Sequence, residues 1–172
     1  TVLNDCESFN CIKLDGLEAD DLFALSSEFI EDFKVLVSND EDIRQLTKEV
    51  LELSSEIKCV AEFSNAEDFL KNTDRLNADF VLMDIGLPGM SGIECVKQCN
   101  IKSKGIDFIM YTTHFDANDV FEALKAGAKG YILKGGSPEK LIQDVFEMAD
   151  GGSPMSPQIS RLVTNSFNKY EN

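Results

Sequence analysis

The sequence predicts an α/β protein, a parallel sheet of five strands with helices on both faces. Three observations predict it. From Lys34 onward, short apolar runs alternate with amphipathic stretches. The runs are continuous rather than alternating, as in strands covered on both faces. Five such strand-then-helix units follow one another, which right-handed crossovers assemble into a parallel sheet. With 172 residues, 43% of them apolar, the chain has room for one ordinary domain plus an extension and enough apolar mass to fill a core.

The elements follow in order. Val35-Leu36-Val37 is the first strand, and Ile43, Leu46, Val50 and Leu53 mark one face of the helix after it. Residues 57–63 form a second strand, followed by a short helix with Ala66, Phe69 and Leu70. Phe80-Val81-Leu82-Met83 is the third strand; a loop containing Gly86, Pro88 and Gly89 leads to a helix carrying Ile93 and Val96. Residues 106–111 are the fourth strand, and Val120, Phe121 and Leu124 belong to the next helix. Tyr131-Ile132-Leu133 is the fifth strand. Ser137-Pro138 then supplies a serine N-cap and a first-turn proline to a helix with Leu141, Ile142, Val145 and Met148 inward. Gly151-Gly152-Ser153-Pro154 ends the unit, and Ser156-Pro157 opens a last helix with Ile159, Leu162, Val163 and Phe167.

Charge divides the chain. Residues 1–33 carry nine of the 31 acids and only Lys13 of the 16 bases, whereas the rest is more balanced. A boundary near Phe33 follows, giving an acidic extension over 1–33, a main domain over 34–150 and a linker with a helix over 151–172. Leu17, Leu22, Phe23, Phe29, Ile30 and Phe33 suggest one amphipathic helix over 17–32, too short to be a domain. The net charge of -15 repels nucleic acid, so this stretch does not itself grip DNA or RNA. Apolar runs of a few residues exclude a membrane span, and the acidic start excludes a signal peptide. The five cysteines (Cys6, Cys11, Cys59, Cys95 and Cys99) form no CxxC pair; Cys59 sits in an apolar run and faces a core, and Cys95 and Cys99, one turn apart, could suggest a metal site but read better as reduced thiols of a cytoplasmic protein.

In an open α/β sheet, chemistry gathers at the carboxyl ends of the strands. Strand one ends in Asn39-Asp40-Glu41, strand three in Asp84, strand four in Thr112-Thr113 and strand five in Lys134. Carboxylates, a hydroxyl and an ammonium are thus delivered to one edge. That set suits phosphoryl transfer to a carboxylate, because a carboxylate can attack phosphorus to give an acyl phosphate. Charge neutralisation and positioning supply most of the catalysis. Mg2+ takes oxygen ligands and keeps several waters, so a few carboxylates and a carbonyl suffice to hold it.

The runs "KVLVSNDE", "DFVLMDIGLPGMSGIE", "IMYTTH" and "AGAKGYILK" together resemble the receiver domains of two-component response regulators, over about residues 34–150. The resemblance implies a flavodoxin-like (βα)5 fold with strand order 2-1-3-4-5. It makes Asp84 the phosphoacceptor and Asp40 a Mg2+ ligand. The backbone carbonyl of Gly86 completes the protein's share of the metal shell, and Asn39 acts through a water. Thr112 becomes the switch hydroxyl, Tyr131 the switch aromatic and Lys134 the phosphate-binding lysine. Gly86 and His114 fall at positions that tune the lifetime of the phosphoryl group. The partner implied is a sensor histidine kinase, and the chain is expected to pair with a second copy. "GGSPMSPQISRLV" resembles the segment before a LuxR-type helix-turn-helix. The expectation is therefore a truncated transcription regulator that reaches DNA only through an output domain beyond this sequence. Its chemistry is limited to its own phosphorylation and dephosphorylation.

Two residues depart from the family pattern. Asn39 replaces an acid with a neutral amide, which predicts weaker Mg2+ affinity with phosphorylation retained. Gly135 stands where many members have proline, which predicts no cis peptide bond and a looser loop. Blander roles compete at each position. Asp84 alone could cap a loop, Lys134 alone could be surface charge, Tyr131 alone could be core, and Thr113 reads as a simple strand former. Glu41 and Asp42 suit a helix N-terminus. A haloacid-dehalogenase-type phosphatase is disfavoured because that family needs an aspartate where Gly86 stands. A receiver-like dimerisation scaffold that is never phosphorylated is the remaining rival, and Asn39 is its best support; a stand-alone receiver is the other alternative.

Overall fold

The computed structural model describes residues 35–76, 78–102 and 105–167. The helix expected over 17–32 and the boundary near Phe33 lie outside them. The described residues form β1 (Val35–Val37), α1 (Glu41–Leu51), β2 (Ala61–Phe63), α2 (Ala66–Asn72) with a 3-10 turn (Thr73–Arg75), β3 (Phe80–Met83), α3 (Gly92–Lys102), β4 (Asp107–Thr112), α4 (Ala117–Ala126), β5 (Gly130–Leu133), α5 (Pro138–Ala149) and α6 (Pro157–Phe167). All strand pairs are parallel, in the order β2-β1-β3-β4-β5. This is the order expected of the flavodoxin-like fold.

Strand pleating divides the apolar residues between two cores. Val35, Val37, Val81, Met83, Phe108, Met110 and Tyr131 point to one side, where Ala66, Phe69, Cys95, Val96, Val120 and Ile159 from the helices meet them. Leu36, Phe80, Leu82, Ile109 and Ile132 point to the other, against Leu51, Leu141, Val145 and Met148. Phe69 is completely buried, and its ring stands edge-on to Phe63 and Phe108 at centroid distances of 5.7 and 6.1 Å. Cys95 and Cys99 are buried thiols of this core, and Cys59, expected to face a core from its apolar run, is half-buried against the other.

Local signals set the helix ends. Asp40, Asn65 and Ser137 each accept a hydrogen bond from the backbone N–H three residues on, and Pro138 follows Ser137 in the first turn. Gly127 closes α4 with φ +104°, a left-handed cap that glycine adopts without steric cost.

Two expectations need correction. The inward face of α1 is not the Ile43, Leu46, Val50 and Leu53 stripe: Thr47 and Leu51 are buried, while Leu46 and Leu53 are 61% and 74% exposed. Thr47 turns inward beside Tyr111 of β4, where the stripe expected Leu46. The second strand is also shorter than 57–63. Only Ala61–Phe63 pair with β1, because β2 is an edge strand and its partner is itself three residues long.

Gly92, at the start of α3, lies under the end of β3. A Cβ there would sit 1.9 Å from the carbonyl oxygen of Asp84. Gly92→Ala is expected to lower the unfolding free energy by about 2–3 kcal/mol, since neither backbone can yield cheaply. Gly136→Ala, where a Cβ meets nothing within 4 Å, should stay within about 0.5 kcal/mol of wild type. Urea unfolding of the two variants checks the contrast.

Candidate functional site

The sheet reverses direction of growth between β1 and β3, and its carboxyl edge opens a crevice there. Register aligns Val37 with Met83, and Met83 with Met110. The ladder runs one residue past the strands: Asp84 N–H donates to Val37 O at 2.9 Å, and Lys134 N–H to Thr112 O at 2.9 Å. Ser38, Asp84, Thr112 and Lys134 therefore leave four neighbouring strand ends at one level.

Their side chains meet. Lys134 Nζ lies 2.5 Å from Asp84 Oδ2, and both side chains are about nine-tenths buried. The Ser38 hydroxyl donates to the same carboxylate oxygen at 3.3 Å and accepts from Lys134 Nζ at 3.2 Å. Gly86 N–H donates to Asp84 Oδ1 at 3.2 Å. The fully buried Thr112 also favours the charged form of this carboxylate. Lys134 stands 5.7 Å from the ring centroid of Tyr111, so its stem is held from below. Burial would raise the Asp84 carboxyl above the ordinary carboxylate range, but the Lys134 ammonium, with Thr112 and the Gly86 N–H, outweighs it and holds the group below that range.

The loop after β3 is fixed independently. Ile85 O accepts from Leu87 and Gly92 N–H, and Met90 N–H donates to Glu67 Oε1 at 2.9 Å. Gly89 has φ +75°, and a Cβ on it would lie 2.6 Å from that glutamate oxygen. The backbone of Gly86 is thereby held at the rim.

Asp40 serves α1. It is exposed, and its Oδ1 accepts from Ile43 N–H at 3.0 Å. Asn39 beside it is exposed, as are Glu41 and Asp42 in the first turn, where acids complement the helix dipole. Among the described residues, no group of three or more His, Cys, Asp or Glu side chains forms a metal cage. Thr113 corrects the sequence reading: it lies one residue past β4 and is exposed. His114 stands at the rim. A Cβ on Gly86 would lie 3.4 Å from its Nε2, and its Nδ1 is 3.5 Å from Asp119. Tyr131 is fully buried, and its hydroxyl donates to His114 O at 2.9 Å. The loop at Gly135 has φ +95°, which the proline ring cannot adopt, and no cis peptide bond occurs among the described residues.

Sequence reasoning missed Ser38, Glu67 and Gly92. Ser38 was detectable, because it follows β1 as Asp84 follows β3. Glu67 carries no local signal: its partner Met90 lies 23 residues away.

Comparison with known proteins agrees with this fold. The family model for the response regulator receiver domain matches residues 35–146. The chain is 29% identical over 137 residues to the transcriptional regulatory protein LnrK of Bacillus subtilis, covering 79% of this chain and 62% of that one. It is 29% identical over 133 residues to the nitrate/nitrite response regulator NarL of Escherichia coli, covering 77% and 62%. The chain thus spans less than two thirds of the length of these relatives. A LuxR-family response regulator from Aurantimonas superposes with a TM-score of 0.73 at 26% identity, over 77% of this chain and 94% of that one. A CheY-like receiver domain from Methanospirillum hungatei gives 0.63 at 27%, over 68% and 92%. The chain belongs to the response regulator receiver-domain family, and its relatives are of the NarL/LuxR type.

Proposed function

We propose that Asp84 accepts a phosphoryl group from a phosphohistidine on a partner sensor kinase, with Mg2+, and that the phosphorylated site switches an output surface. The observation that carries this reading is the ionised Asp84 carboxylate, buried against Lys134 at 2.5 Å and backed by Thr112.

The donor set suits the ion: Asp84 and Asp40 carboxylates and the Gly86 carbonyl are hard oxygens, with the Asn39 amide able to accept from a metal-bound water. When bound, Mg2+ would neutralise charge on the transferring group. The Asp84 carboxylate supplies the nucleophile. Its oxygen forms the new P–O bond as the P–N bond to the imidazole breaks, and the imidazole takes the electron pair. Lys134 then pairs with a phosphoryl oxygen instead of the carboxylate, and the Thr112 hydroxyl turns to another.

The relatives are transcriptional regulators by name, so the output is read here as DNA binding through a domain beyond this sequence, with a second receiver as partner. The chain is read as a cytoplasmic regulator whose chemistry is confined to its own phosphorylation and dephosphorylation. Among the described residues, no helix is long and apolar enough to cross a membrane.

Incubation with acetyl phosphate and Mg2+ should add one phosphoryl group by intact mass. Asp84→Ala should add none, and an equal adduct on that variant refutes the assignment. Lys134→Ala should slow the reaction on the order of 100-fold, the usual cost of removing one charge-stabilising donor. An inert wild type would favour the unphosphorylated scaffold.

Asn39→Asp restores a second negative charge near the metal and should tighten Mg2+ binding about tenfold by titration calorimetry. Unaltered affinity would remove Asn39 from the metal's surroundings.

The depressed Asp84 carboxyl also fixes a pH dependence. A group whose folded pKa lies below its unfolded value stabilises the fold above the unfolded value and loses that contribution as pH falls through the folded one. Urea midpoints should therefore drop on the acid side of the carboxylate range more steeply for wild type than for Asp84→Asn.

A further inference from the structure

Ser38 stands one residue past β1 and level with Asp84, because parallel pairing sets Val37 beside Met83. It is buried, and its backbone is fixed from two sides. Its N–H donates to Phe63 O on β2 at 3.1 Å, and its carbonyl accepts from the Arg44 guanidinium of α1. The hydroxyl is thereby held beside the ion pair. It lies 3.3 Å from Asp84 Oδ2 and 3.2 Å from Lys134 Nζ, which are themselves 2.5 Å apart. A serine hydroxyl has one proton to donate and lone pairs with which to accept. Here the proton goes to the carboxylate and a lone pair to the ammonium, so both capacities are spent on the reacting groups.

The two carboxylate oxygens have different surroundings. Oδ1 accepts from Gly86 N–H at 3.2 Å, whereas Oδ2 faces Lys134 and Ser38. A phosphoryl group that Lys134 is to pair with has to be bonded through Oδ2, the oxygen within reach of the ammonium. Ser38 stands on that side, next to the place where the new bond forms.

We infer that Ser38 is a further catalytic residue: its hydroxyl donates to an oxygen of the phosphoryl group on Asp84 Oδ2, and its lone pair keeps Lys134 aimed at the same group. This role rests on phosphoryl acceptance at Asp84. Before transfer, the contact with Oδ2 is long for an O–H···O bond, so little is lost when it is given up. As the P–O bond forms, Oδ2 changes from a charged carboxylate oxygen to the bridging oxygen of an acyl phosphate and becomes a poor acceptor. The negative charge now lies on the outer phosphoryl oxygens, which accept strongly. The hydroxyl turns to one of them while still accepting from Nζ, and its proton stays on Ser38 throughout. An interaction that strengthens as the bond forms is one that speeds the step.

Acetyl phosphate with Mg2+ on the full chain tests the role. Asp84 Oδ2 attacks phosphorus, the P–O bond to acetate breaks and acetate leaves with the electron pair, so intact mass against time gives the rate. Ser38→Ala removes the hydroxyl and leaves Lys134 paired with Asp84. It should slow the reaction about tenfold at a fixed acetyl phosphate concentration, the worth of one charge-assisted hydrogen bond. Affinity for beryllofluoride, a phosphoryl mimic with no leaving group, should fall by a similar factor, while circular dichroism stays that of wild type. Ser38→Thr keeps a hydroxyl and should recover most of the rate. Wild-type rate and beryllofluoride affinity in Ser38→Ala overturn the role, as does a folded Ser38→Thr no faster than Ser38→Ala. A wild type that takes up no phosphoryl group overturns acceptance at Asp84 and this role with it, an outcome distinct from a labelled wild type that Ser38→Ala matches.

Discussion

The contact between Lys134 Nζ and Asp84 Oδ2 is the constraint on which the site depends. Two opposite charges sit largely out of water at the ends of β3 and β5, strands that are not neighbours. Such a pair gains little net stability, because desolvation offsets most of its attraction. Its effect is on arrangement. Either charge left alone would be costly, so each strand end is held to the height at which the other can reach it. Ser38, one residue past β1, fills part of the remaining hydrogen-bonding capacity, and Thr112 on the intervening β4 favours the charged carboxylate. The result is a carboxylate kept ionised while buried, which is the state a nucleophile needs.

The surrounding structure explains why that arrangement is rigid. Asp84 cannot retreat, because Gly92 lies under its carbonyl with no room for a side chain. The loop carrying Gly86 cannot drift, because Glu67 on α2 holds the Met90 amide. Lys134 lies over the Tyr111 ring, and Tyr111 in turn neighbours Thr47 on α1. Elements from both faces of the sheet therefore converge on the Asp84 carboxylate, and small displacements at it are felt in both cores.

Much of this was legible in the sequence. The five strands announce themselves because both faces are covered, so each reads as an unbroken apolar run, and strand ends then nominate Asp84, Thr112 and Lys134. What escaped was long-range or depended on satisfied polarity. Thr47 looks like a surface residue until Tyr111 is placed opposite it, and with it the rotation of α1 is misjudged. Glu67 has a backbone partner that no pattern marks. Ser38 carries no charge to mark it among the acids that follow, yet its register with Asp84 follows from parallel pairing alone.

Charge gives Asn39 a physical reading. Asp40 already spends one carboxylate oxygen on the first turn of α1, so its availability to a cation is linked to helix capping. An acid at position 39 would add a second negative charge to the same exposed corner, drawing a cation more strongly but opposing the arrival of a phosphoryl group, which carries close to two. A neutral amide weakens the first effect and relieves the second. In the proposed chemistry the Asp84 charge is consumed in the acyl bond. Lys134 and a divalent ion then face Asp40 and the phosphoryl oxygens with little net imbalance. On this reasoning Asn39 would lower the affinity of the proposed Mg2+ site without removing the means to use it.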